Sequence, residues 1–159
     1  MLSVIVVLIN FGLALQASAQ QCEPLDVGCC VTIATDYYPR ETRTVYVRSS
    51  DHWAYLYYKP QSDQSDQWKV KAKEGRVFQF ESVAFPDRCL CEKPYYAINY
   101  VGSCECRAKE PIQEWELEFG EASRVTVKRP GKSDYLYPCK NGSCLEMHWK
   151  QFDWIVKPC

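Results

Sequence analysis

Ten cysteines, two histidines and scattered serines and carboxylates are the side chains of this 159-residue chain that could do covalent or acid–base chemistry. A hydrolytic triad needs a nucleophile, a base and an orienting group brought together. His52 sits between Asp51 and Trp53, His148 lies beside Trp149, and no Gly-x-Ser-x-Gly elbow occurs anywhere in the chain. Both histidines therefore read as surface or packing residues. Glu114, Glu116 and Glu118 alternate along a strand-like run, which projects them from one solvated face rather than across a glycosidic bond. There is no glycine-rich phosphate loop. The expectation is a protein that binds rather than catalyses, with no catalytic residue, cofactor or metal.

What the cysteines do depends on the compartment. Residues 1–19 form an apolar run closed by Ala17-Ser18-Ala19, the small-x-small pattern a signal peptidase accepts. Leu2 to Leu15 is too short to cross about 30 Å of hydrocarbon, so this run reads as a signal peptide and not an anchor. No later stretch is apolar enough to span a membrane. Cleavage after Ala19 would leave residues 20–159 as one secreted, extracellular domain. All ten cysteines, at 22, 29, 30, 89, 91, 104, 106, 139, 144 and 159, fall in that part. An even count in an oxidising compartment reads as five bridges. Their spacings, Cys-x-Cys among them, are not the usual zinc spacing. Lys+Arg (19) nearly balances Asp+Glu (20), which leaves no basic face for nucleic acid.

The elements that must hold these cysteines are strands. Runs at 44–48, 76–81 and 124–128 alternate apolar and polar residues, and no stretch sustains helical periodicity. The runs look like copies. Val45–Arg48 followed by Tyr55-Leu56-Tyr57 aligns without gaps on Val125–Lys128 followed by Tyr135-Leu136-Tyr137, and Phe78–Glu81 leads similarly to Cys89-Leu90-Cys91. Each copy then reaches a tryptophan: Trp68, Trp115 and Trp154, which repeat and so belong to the core. Self-similarity near 40 residues means one supersecondary unit that cannot bury its own face alone. With three such all-β units the chain resembles the β-trefoils, which implies three four-stranded repeats; a β-sandwich is the alternative.

Two shorter resemblances bear on function. Residues 80–91, Phe-Glu-Ser-Val-Ala-Phe-Pro-Asp-Arg-Cys-Leu-Cys, resemble the interleukin-1 family signature, with Cys89 at its apolar position and Glu92 where threonine is usual. That resemblance implies a cytokine-like fold and a protein receptor. Gln113-Glu114-Trp115 is similar to the Gln-x-Trp of ricin-type lectins, which implies carbohydrate binding.

Strand geometry suggests pairings. In one antiparallel register Cys89 can oppose Cys106 and Cys91 can oppose Cys104. Asn141-Gly142 is a tight hairpin turn that places Cys139 opposite Cys144. The Gly-Ser-Cys at 102–104 and 142–144 suggests equivalent hairpins. Adjacent cysteines seldom bond each other, so Cys22 should join Cys29 or Cys30 and Cys159 the other, tying the first strand to the chain end. Asn141-Gly142-Ser143 is also a glycosylation sequon.

The binding candidates are aromatics surplus to the repeat. Tyr37-Tyr38, Trp53, Tyr57-Tyr58, Tyr95-Tyr96 and Trp149 do not recur regularly. Trp53, Tyr58, Tyr95, Tyr96 and Trp149 are the candidate ligand-binding residues, and 92–103 reads as an inserted loop carrying two of them. The expected function is an extracellular binding protein for a receptor or matrix partner. A lectin-like carbohydrate-binding module and a structural component of an extracellular or skeletal organic matrix are the alternatives.

Overall fold

The computed structural model describes residues 25–38, 41–139 and 142–159. The leader at 1–19, Cys22 and Asn141 lie outside them. Among the described residues twelve strands run in chain order: β1 Cys30–Thr35, β2 Arg43–Val47, β3 Ala54–Tyr57, β4 Trp68–Glu74, β5 Val77–Ser82, β6 Arg88–Tyr95, β7 Ile98–Glu105, β8 Trp115–Phe119, β9 Arg124–Lys128, β10 Tyr135–Pro138, β11 Leu145–His148 and β12 Asp153–Pro158. The helical segments among the described residues are single 3-10 turns. No described helix is long and apolar enough to cross a membrane.

The strand pairings close on themselves. β1 pairs β12, β12 pairs β9, β9 pairs β8, β8 pairs β5, β5 pairs β4, and β4 returns to β1. Closure removes the exposed edges that an open sheet would present. All twelve strands belong to one sheet, which is not the two-layer arrangement of a sandwich. From this ring hang three hairpins, β2–β3 on β1, β6–β7 on β5 and β10–β11 on β9. They meet one another where Tyr100 of β7 pairs Glu146 of β11 and where Trp53 bridges Gly102.

The core lies where ring and hairpins converge. Trp68, Trp115 and Trp154 are fully buried there, with Ile33, Phe80, Leu90, Leu117, Leu136 and Leu145 around them. Each indole N–H donates to a carbonyl on the first strand of a hairpin: Trp68 to Val45 at 3.2 Å, Trp115 to Leu90 at 3.0 Å, and Trp154 to Leu136 at 3.0 Å. These bonds correct one of the three runs aligned from the sequence, since 78–91 and 125–137 fall alike on β5–β6 and β9–β10 and only 45–57 is displaced. The aligned runs at 45–57 and 125–137 are β2–β3 and β9–β10, a hairpin matched against a ring strand plus half a hairpin. Ring and hairpin strands share the period-two pattern and the same Val and Tyr content, so alternation alone does not separate them. The carbonyl each tryptophan takes does.

Four bridges join described cysteines: Cys30–Cys159, Cys89–Cys106, Cys91–Cys104 and Cys139–Cys144. Cys29 is also disulfide-bonded. The register expected for β6–β7 is corrected by two residues, because Cys89 faces Cys104 and Cys91 faces Gly102. Tyr95 pairs Ile98 across a two-residue turn at Tyr96-Ala97, which sets that register from the tip. The two bridges therefore run diagonally, over Cα separations of 4.9 and 5.9 Å that lie within disulfide reach. In β10–β11, Cys139 donates to the Cys144 carbonyl at 3.0 Å, as a facing pair does.

Cys30–Cys159 spans 129 residues of sequence and Cys139–Cys144 only 5. On chain-entropy grounds, replacing the first pair by serine should cost about 4–5 kcal/mol and the second about 2 kcal/mol. Urea unfolding of the two double variants checks this, and equal or reversed losses would contradict it.

Candidate functional site

The stretch at 92–103 is not an inserted loop but the outer half of a hairpin. β6 and β7 each have eight residues, against four or five in the strands of the other two hairpins. Their base is held by Cys89–Cys106 and Cys91–Cys104. One step outward, Glu92 forms an ion pair with Arg129, both side chains only 12% exposed. Burial pulls the Arg129 pKa below its ordinary value. Removing either partner would strand the other charge, so this contact locks the hairpin onto the end of β9.

Gly102 fixes the hairpin on a second side. A Cβ there would lie 2.4 Å from the His52 carbonyl and 3.3 Å from the Trp53 Cα, and Ser103 N–H donates to that carbonyl at 2.8 Å. The backbone approach is possible only without a side chain. It brings Trp53 into edge contact with Tyr100 and Tyr95, ring centroids 5.6 and 6.2 Å apart. Tyr95 meets Tyr96 edge-on at 4.6 Å. The Lys93 ammonium lies 4.3 Å from the Trp53 ring centroid, and desolvation with the nearby Arg88 charge lowers its pKa. At the turn Tyr96 takes a positive φ of 55° and stands 93% exposed.

Of the five candidates, Trp53, Tyr95 and Tyr96 come together. Tyr58 does not join them; it packs on Tyr57 at 4.8 Å beside Lys59. Trp149 stacks on His148 at 5.3 Å, and with Glu146 and Asp134 it faces Ala97, Ile98 and Asn99 across a cleft of about 320 Å³. Tyr100 and Lys93 complete the Trp53 group and were missed. Strand alternation from Tyr95 points to Lys93, two residues back on the same face, and antiparallel pairing sets Tyr100 opposite Lys93; what no local pattern shows is that Gly102 brings Trp53 to them.

The histidines have packing surroundings. His52 meets Phe85 edge-on at 5.7 Å, and its buried Nδ1 has no hydrogen-bond partner among the described residues. Desolvation, with Arg88 and Lys93 nearby, lowers its pKa. Asp51 is engaged by Arg48 and by the Tyr55 hydroxyl, which hold its carboxyl near pKa 2. His148 Nδ1 accepts the Lys150 N–H at 3.0 Å. Glu116 and Glu118 both pair with Lys128. Among the described residues no group of three or more His, Cys, Asp and Glu could hold a metal.

The two family-like stretches have structural work. Phe80, Cys89, Leu90 and Cys91 are fully buried, so residues 80–91 build the β5–β6 corner. Gln113 is 1% exposed; its Oε1 accepts from Arg107 N–H and the Gln79 amide, and its Nε2 donates to the Glu105 carbonyl. All of its hydrogen-bonding capacity named here is turned inward, away from a ligand.

No protein-family profile and no curated protein matches the chain. Solved structures do. A designed three-fold symmetric protein, ThreeFoil, superposes with a TM-score of 0.68 at 9% identity, covering 82% of this chain and 99% of that one. The BEL β-trefoil gives 0.68 at 14% identity, covering 86% and 97%. A mosquitocidal holotoxin gives 0.69 at 11% identity, where the match covers 84% of this chain but only 18% of the much longer toxin. The fold is that of the β-trefoil proteins: all-β, closed, and here disulfide-stapled.

Gly102→Ala should force the hairpin off the His52 carbonyl. The expected loss is about 1–3 kcal/mol in urea unfolding, with a loss of the near-ultraviolet signal of Trp53. Unchanged stability and signal would show that the close approach is not required.

Proposed function

We propose that this chain is a secreted, non-enzymatic binding protein built as three four-stranded repeats, which docks an extracellular protein partner through the outer half of β6–β7. The partner is a receptor or a matrix component. One observation carries this reading: Tyr96, 93% exposed, heads a row with Tyr95 and Tyr100 on a hairpin that two disulfides and a largely buried ion pair hold in place, and Trp53, just before β3, joins that row by ring contacts.

Tyrosine and tryptophan dominate the energetics of protein interfaces because they bury much area while ordering few torsions. Interfaces also gain when the anchor is rigid before binding, since less entropy is then lost. The twin bridges at the hairpin base supply that rigidity. Disulfides across the described residues fit an oxidising compartment, in keeping with a cleaved leader at 1–19. A glycan on Asn141 would be carried between β10 and β11 in sequence, far along the chain from the β6–β7 tip.

The test is binding of the purified, oxidised protein to an array of extracellular proteins and glycans. The reading predicts a protein ligand whose binding falls at least about tenfold in Tyr95→Ser/Tyr96→Ser and is unchanged in Tyr58→Ser. Binding to glycans alone, or a protein ligand indifferent to the tip variant, would overturn it.

A further inference from the structure

A second recess, remote from the β6–β7 tip in sequence, has a different chemistry. It lies between the end of β1, the start of β9 and the segment entering β12, and encloses about 520 Å³, within the range of small-molecule sites. Asp36 and Arg124, 88 residues apart, form one wall. Arg124 Nη1 and Nη2 donate to the two carboxylate oxygens of Asp36 at 2.9 and 2.8 Å. That hydrogen bonding lowers the Asp36 pKa, so the carboxylate is charged at neutral pH. Gln151 and Asp153 face the same space. The apolar side is Tyr37, 69% exposed, edge-on to Phe152 at 5.5 Å, with Tyr137 behind at 5.3 Å from Phe152.

A fork-to-fork pair is not spent by its own contact. The guanidinium has five N–H donors and uses two here, and the carboxylate keeps lone pairs beyond the two that Arg124 takes. The recess thus holds donors and acceptors fixed side by side, an amide that is both, and an aromatic edge. Hydroxyl groups that both donate and accept, on a ring with one apolar C–H face, are the complement of that set. Asp36 and Asp153 stand against Arg124, with the Lys157 charge in electrostatic reach of Asp36, so the recess has no excess positive charge that would call for a sulfated or sialylated ligand. We propose that this recess is a binding site for a neutral pyranose saccharide, with the Asp36–Arg124 pair and Gln151 taking its hydroxyls and Tyr37 flanking its ring. It is separate from the hairpin surface proposed for a protein partner, and neither reading rests on the other.

The experiment is a titration of the oxidised, isotope-labelled protein, followed by NMR. The probes are the methyl glycosides of glucose, galactose, mannose and N-acetylglucosamine, with N-acetylneuraminic acid as the anionic comparison. The expected result is saturable shifts at the Arg124 Nε–H and the Gln151 amide with at least one neutral glycoside. Asp36→Asn and Tyr37→Ala should each weaken that binding about tenfold, and Tyr95→Ser/Tyr96→Ser should leave it unchanged. Retained backbone spectra show that the variants are folded. The proposal is overturned if no neutral glycoside perturbs the recess, if the sialic acid binds more tightly, or if both recess variants bind as the unsubstituted protein does.

Discussion

Three buried indole N–H groups, each donating to the carbonyl of a hairpin's first strand, are the constraint on which this structure depends. A short β-hairpin is at best marginally stable by itself in water. Each of these three has its first strand tied to a tryptophan that is itself sealed in the core at the start of β4 or β8 or within β12. The bond is short of partners elsewhere: an indole has one donor, and leaving it or the carbonyl unpaired in this interior would cost about 1–3 kcal/mol. Ring closure and hairpin docking are therefore one event, and the disulfides reinforce an arrangement that the tryptophans already specify.

With the scaffold held in this way, departures from its regularity become informative. Two hairpins have short strands, and the third runs eight residues each way. The extra length carries the exposed Tyr95-Tyr96 tip, and the added holding contacts gather beneath it: two bridges, the Glu92–Arg129 pair and the side-chain-free approach at Gly102. A rigid protrusion with aromatic ends suits recognition of a surface. The recess by Asp36 and Arg124 has the polar lining that the saccharide proposal needs, with Gln151 and Asp153 beside the ion pair. The fold supplies the two kinds of position at different places, one on a hairpin and one between ring strands.

Much of the architecture was legible in the residues, for reasons that explain the misses. Tryptophans at 68, 115 and 154 mark the anchors of the three hairpins because a large buried donor needs a defined acceptor, and few positions provide one. Cysteine partners were readable from antiparallel symmetry, but the register of Cys89 and Cys91 was not, because the turn residues Tyr96-Ala97 carry no glycine or asparagine signal of a tight turn. The Cys139 register, set beside Gly142, was readable because that signal is present. Ring and hairpin strands alternate alike, so the run at 45–57 was aligned one strand out of step while those at 78–91 and 125–137 matched. Trp53 with Tyr95 could be named from composition, and Lys93 and Tyr100 follow from Tyr95 by strand alternation and pairing; that Trp53 joins them could not be read, since a bridge to the distant Gly102 brings it there. Asp36 and Arg124 meet only through ring closure, which no local pattern encodes.

Hydrogen exchange at the tryptophan indoles tests the tryptophan clamp most directly. In the oxidised protein, the N–H groups of Trp68, Trp115 and Trp154 should exchange only through global unfolding, all three with one opening free energy equal to the stability measured by urea. The indoles of Trp53 and Trp149, outside the core, should exchange far faster. If any of the three core indoles exchanged through a local opening well below the global free energy, its hairpin would be undocking independently, and the account of ring and hairpins as one cooperative unit would be wrong.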